Sequence, residues 1–167
     1  MFDLRKAKIG LFDFDCTLCV HADKLCVDDP DTNEDVLLGG LPWDRQPTFK
    51  KSTVMQQFIT YLQHQNKSLY MCSASHYFPQ LDAKCRWAST EYSAEFTNVS
   101  VSVQNDKADM CEFLSKALSI NSEEILFVDG NCDVLRSLQS KGFQTMGTLE
   151  VADWVFDHIA TEQAAAV

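Results

Sequence analysis

The 167-residue chain has no run approaching the roughly 20 consecutive apolar residues of a membrane-spanning helix. Its opening stretch, MFDLRKAKIG, has no hydrophobic signal core. These two absences predict a soluble, cytoplasmic protein with no membrane partner. Positive charge is scarce as well: 14 Lys and Arg stand against 24 Asp and Glu, a formal net charge of -10. Phosphate backbones select basic surfaces, so this balance argues against nucleic acid as a partner. It leaves phosphorylated small molecules and phosphoproteins open, because a bound cation reverses the local field. No internal repeat or low-complexity segment interrupts the chain. The seven cysteines are an odd number in a chain without a secretion signal, which predicts reduced thiols.

What is present is ordinary globular composition, 46% apolar and 23% charged. The length suits one domain, residues 1–167, with an extended loop or flap at about 18–51. That loop is acidic and turn-rich, as in VDDPDTNED and LLGGLPWDRQP. Within it Asp29, Asp31, Asn33 and Asp35 imitate the start of a calcium loop. Glu34 stands where the template needs glycine, and Gly40 where it needs the closing glutamate, so a solvated surface loop is expected. Cys16, Cys19, His21 and Cys26 all have zinc-ligand chemistry. Only one residue separates Cys19 from His21, which is tight for a knuckle, and buried or loop thiols are the expected reading.

Lys8 to Phe14 reads as a buried strand. Val54, Met55, Phe58, Ile59, Tyr61 and Leu62 form a helical stripe, with Ser52 or Thr53 as cap and Gln56 completing a capping box from Thr53. SLYMCSAS is a second strand ending near Ser73. A helix is expected over Pro79 to Ala88, a strand in EFTNVSVSV, and a helix in KADMCEFLSKALSI with Met110, Phe113, Leu114, Ala117 and Leu118 on one face. Ile125 to Val128 is a strand that stops at an aspartate, and a helix from Cys132 to Lys141 ends at Gly142. FQTMGT is a last strand, VADWVFDHIA a closing helix, and TEQAAAV an expected frayed end. This alternation predicts an α/β Rossmann-like three-layer α/β/α sandwich with a mostly parallel five-stranded sheet and no full cap domain.

In such a sheet the strand tips share one edge, and ligands sit beyond it. Asp13 and Asp15 follow the first strand, Ser73 the second, and Asp129 a later one. Asp133 lies in the first turn of the next helix, and Lys107 opens the helix before that strand. Two aspartates one residue apart repel unless a cation stands between them or one holds a proton. Acids from two strand tips offer hard oxygen ligands to magnesium, and a lysine and a serine suit a phosphoryl group.

LFDFDCTL resembles the hhhDxDxT motif of the haloacid dehalogenase (HAD) superfamily, LYMCS its second motif, Lys107 its third, and ILFVDGNCD its fourth, DxxxD. The resemblance covers about residues 8–146. It implies a magnesium-dependent phosphomonoester hydrolase of capless type, with Asp13 the nucleophile that becomes an aspartyl phosphate and Asp15 the general acid and base. Thr17 would support the loop, Ser73 and Lys107 would hold phosphoryl oxygens, and Asp13, Asp15 (through its carbonyl), Asp129 and Asp133 would bind Mg2+, Asp133 either directly or through a water. Cys16 stands where many relatives have glycine. Lys84 is a rival to Lys107, since it too lies between the second and fourth motifs. His21, Trp43, Arg45, His76 and Tyr77 lie in segments able to contact a substrate, with loop packing or exposure as the plainer reading. The alternatives are a receiver-like phosphoacceptor or a catalytically inactive binding module of the same fold.

Overall fold

A computed structural model describes residues 2–21, 49–74, 78–101 and 107–165 of the chain. The elements run β1 (Ile9–Phe12), β2 (Cys19–His21), β3 (Phe49–Lys51), α1 (Thr53–His64), β4 (Ser68–Ala74), α2 (Phe78–Tyr92), β5 (Phe96–Val101), α3 (Lys107–Leu118), β6 (Ile125–Asp129), α4 (Cys132–Ser140), β7 (Gln144–Gly147) and α5 (Thr148–Ala165). Five strands form a parallel sheet in the order β5-β4-β1-β6-β7. β1 therefore lies at the centre, and the strand order reverses beside it, which is where parallel sheets open a crevice.

The sheet is covered on both faces, so its central strands are buried on both sides and read as continuous apolar runs. Side chains alternate between the faces with period two. Phe12, Phe14, Leu69, Met71, Leu126 and Val128 join the core under α1, α2 and α5. Ile9, Leu11, Cys72, Ile125 and Phe127 join the core under α3 and α4. α1 approaches the sheet closely over Gly10, where a Cβ would stand 3.0 Å from Phe12 Cε2 and 3.2 Å from Leu62 Cδ1.

Several local expectations are corrected. Ser52 alone caps α1, its Oγ accepting from the Met55 amide at 3.3 Å. The Gln56 side chain is engaged elsewhere, its Nε2 donating to the Tyr92 carbonyl at 3.1 Å and its Oε1 accepting from Lys51 Nζ at 3.2 Å, so the box from Thr53 is not formed. The stretch 18–51 is not wholly irregular: β2 and β3 pair antiparallel at its two ends. α2 and α5 run longer than expected, and α5 takes in most of the stretch expected to fray. α3 is rolled relative to the predicted stripe. Its buried face is Lys107, Ala108, Cys111 and Leu114, whereas Phe113 is 65% exposed and Leu118 39%. The i, i+4, i+7 row that begins at Lys107 faces the sheet, so Phe113, more than half a turn round, faces out.

Between Ser73 and Lys107 the described residues are filled by the end of β4, α2 and β5. The candidate substrate contacts Trp43, Arg45, His76 and Tyr77 lie outside the described residues, as do Cys26 and the calcium-like run from Asp29 to Asp35. Of His21 only the backbone, in β2, is described. Among the described residues no helix is long and apolar enough to cross a membrane.

Candidate active site

The alternation along the strands decides which groups meet. Ile9 and Leu11 face α3 and α4, and Asp13 continues their row. Its amide donates to the Val128 carbonyl at 2.9 Å, extending the ladder one residue beyond β1. Ile125 and Phe127 face the same way, and Asp129 continues that row. Lys107, the first residue of α3, reaches both carboxylates: its Nζ lies 2.7 Å from Asp13 Oδ1 and 2.8 Å from Asp129 Oδ2. All three are buried. The second oxygen of Asp129 accepts from the Asn131 amide at 2.8 Å, which fixes the carboxylate plane.

On β4 the row Leu69, Met71, Ser73 has the opposite parity and faces α2. There a second buried lysine waits. Lys84 Nζ lies 3.0 Å from Ser73 Oγ and 2.5 Å from Asp15 Oδ2. It also lies 5.2 Å from the centroid of the Phe14 ring, a cation–π distance. Both lysines that competed for one role are thus in the site, on opposite faces of the sheet. Lys107 joins the two strand-tip aspartates, and Lys84 joins Asp15 to Ser73.

Thr17 is buried, and its Oγ1 accepts from the Gly130 amide at 3.1 Å, tying the loop after β1 to the loop after β6. It is placed as a brace between loops. Cys16 has φ 59°, the left-handed region that favours glycine and taxes a Cβ. Asn131, which sequence reading passed over, caps α4 through Oδ1, accepting from the Asp133 and Val134 amides at 2.9 and 3.3 Å. Its signal was there to find: an asparagine immediately before a helix start.

Asp133 does not join the group. Its side chain is 87% exposed and pairs with Arg136 at 2.7 Å. The side chain of Asp15 is drawn to Lys84. That leaves its backbone carbonyl as the group expected on a metal, and among the described residues no group of three or more His, Cys, Asp or Glu is arranged to hold a metal ion.

The electrostatics nevertheless favour added positive charge. Burial is the largest influence on Asp13 and pushes its carboxyl from 3.8 up to about 7; Lys107 opposes the rise, and the charges of Asp129 and Asp15 add to it. Burial works against the charged form of Lys107, but Asp13 and Asp129 outweigh it and hold the ammonium above the ordinary lysine range. The donors fit a hard cation such as magnesium, which takes one or two carboxylates and completes its shell with water and phosphate.

No protein-family model matches the chain, and no curated protein matches it. Solved structures do. A HAD-superfamily hydrolase, subfamily IA, variant 1, from Geobacter sulfurreducens superposes with a TM-score of 0.57 at 14% identity, covering 83% of this chain and 88% of that one. The fold is that of the haloacid dehalogenase superfamily. A second HAD-superfamily hydrolase, from Ehrlichia chaffeensis, matches with TM-score 0.57 at 11% identity over 92% of this chain and 98% of its own. A HAD family enzyme from Bacteroides thetaiotaomicron, in complex with magnesium, gives 0.57 at 12% identity over 85% and 93%. An aspartate-to-alanine mutant of the latter was crystallised with magnesium and inorganic phosphate. Against a hypothetical protein from Xanthomonas campestris the chain spans 65% of the other's length. The HAD-like fold puts Asp13, Asp15, Ser73, Lys107 and Asp129 at the carboxyl edge of the sheet.

Proposed function

We propose that this chain is a magnesium-dependent phosphomonoester hydrolase that works through an aspartyl-phosphate intermediate. The observation that carries the reading is the buried Asp13–Lys107–Asp129 group, with Asp15 two residues from Asp13 on the same loop. The carboxylate oxygen of Asp13 that Lys107 does not hold attacks phosphorus, and the bond from phosphorus to the leaving oxygen breaks. Asp15 gives a proton to that oxygen, and an alcohol departs. In the second half a water attacks the phosphoryl group, Asp15 takes its proton, and inorganic phosphate leaves Asp13 restored.

Ser73 and Lys107 donate to the phosphoryl oxygens and hold the group in line with Asp13. Asp13 and Asp129, with the Asp15 carbonyl, are the groups that would hold magnesium. When bound, the ion supplies positive charge that favours ionised Asp13 and offsets the charge of the phosphoryl oxygens. The acid at position 15 favours a phosphatase over a dehalogenase, because an alkoxide leaving group needs a proton.

Incubation with para-nitrophenyl phosphate and magnesium tests the reading. Steady turnover is expected, lost in Asp13→Asn and lost in EDTA, with magnesium restoring the latter. Asp15→Asn is expected to accumulate phosphorylated protein with slow release. Full activity in chelator would remove the metal assignment, and stable phosphorylation of the unaltered protein without release would favour the receiver-like alternative.

A further inference from the structure

We propose that Lys84 is a positioning residue of this site, which clamps Asp15 against Ser73 and thereby aims the proton-transfer carboxylate at the leaving group; this rests on the phosphatase reading above. Lys84 is 1% exposed on α2, a helix that packs on the face of the sheet opposite α3 and Lys107. Its ammonium meets one carboxylate and one hydroxyl that come from different strand tips.

Burying an ammonium costs several kcal/mol before its partners repay any of it, and an apolar side chain of similar volume usually stabilises a core as well or better. A purely structural role is thus the weaker explanation for a lysine here. The partners are also specific. An ammonium has donors only, so Ser73 Oγ accepts from Lys84, and the hydroxyl proton of Ser73 is turned elsewhere. One cation therefore orients both a donor for the phosphoryl group and the carboxylate that serves the leaving oxygen. Asp15 itself is about a third exposed on a loop whose next residue, Cys16, has a positive φ. Lys84 is the buried group that anchors this side chain.

The clamp acts through Asp15, so its loss should resemble a loss of general acid catalysis. Phosphorylation of the protein is measured in single turnovers with an alkyl phosphate, whose leaving group needs a proton, and with dinitrophenyl phosphate, whose leaving group does not. General acid catalysis contributes about 100-fold or more. Lys84→Met is expected to slow alkyl transfer about 100-fold and dinitrophenyl transfer by no more than about tenfold. Combined with Asp15→Asn it should add less than about threefold to the loss in Asp15→Asn alone, because the two act as one unit. Lys84→Gln keeps a donor amide at nearly the same volume and should give a smaller split of the same sense, so the comparison survives if Lys84→Met does not fold. Equal losses for both esters, or losses that multiply in the double variant, would overturn the clamp and leave the phosphatase reading standing. If the unaltered protein is phosphorylated by neither ester, that reading falls and the clamp falls with it.

Discussion

Lys107→Met would remove the ammonium that lies between two buried carboxylates while leaving a side chain of similar length. Lys107 is 1% exposed and bonds Asp13 at 2.7 Å and Asp129 at 2.8 Å. Taking away one partner of a buried ionic group leaves uncompensated charge and costs roughly 3–5 kcal/mol. Domains are stable by about 5–15 kcal/mol, so the variant should fold but with much of its margin gone. The loss should depend on pH, and the sense follows from Asp13. Its carboxyl is raised in the folded protein from 3.8 to about 7, although Lys107 holds it down. A carboxyl raised on folding binds its proton more tightly in the folded state. Its protonation therefore favours the fold at low pH, and that contribution disappears as pH climbs from 3.8 through about 7. Without Lys107 the carboxyl rises further, so the decline continues to higher pH in the variant. The stability gap between the two proteins should stay level below about pH 6 and widen from about pH 7 upward, as Asp13 ionises in the unaltered protein first. Urea unfolding followed by tryptophan fluorescence, in EDTA so that no adventitious cation replaces the ammonium, measures this directly. A gap below about 1 kcal/mol, or one constant across the range, would refute the account of a buried triad.

Two further outcomes follow from packing. Gly10→Ala should destabilise by about 1–3 kcal/mol, read from the urea midpoint, because the new methyl meets Phe12 and the ring cannot yield. That ring sits edge-on to Phe58 and Phe96, at centroid distances of 6.4 and 6.0 Å. Alkylation by iodoacetamide in native buffer at about pH 8 should modify exposed Cys132 and spare Cys72, as peptide mass spectrometry would show. Burial pushes the Cys72 thiol up to about 12, with Asp13 and Asp129 adding to the rise against Lys107. Labelling of Cys72 at the rate of Cys132 would mean that the core beneath the site opens readily.

Periodicity and punctuation were legible in the chain. The apolar run before Asp13, the run before Asp129, and the stripe of Met55, Phe58, Ile59 and Leu62 each match a buried element, since strand and helix periods are local properties. Gly142, at φ 84°, follows α4 as its sequence position suggested. The short pairing of β2 with β3 was not legible, because their three-residue strands are separated by a long stretch of chain and carry too little pattern. Phe113 was misplaced for a related reason. Hydrophobicity alone sets α3 with Phe113 inward, but the face that turns in is the one that lets Lys107 meet two carboxylates.

The acids themselves, and the strand ends that present them, were determined by the sequence alone, because a strand tip is set by where an apolar run stops. Which cation each acid meets was decided only in three dimensions. Asp13 and Asp129 share one parity and one covering helix with Lys107, while Ser73 has the other parity and meets Lys84, which also holds Asp15. Asp133, four residues from Asp129, turns to solvent and Arg136. Those choices depend on strand order and on which face each helix covers. Both are long-range properties, settled by how the whole sheet buries its two sides.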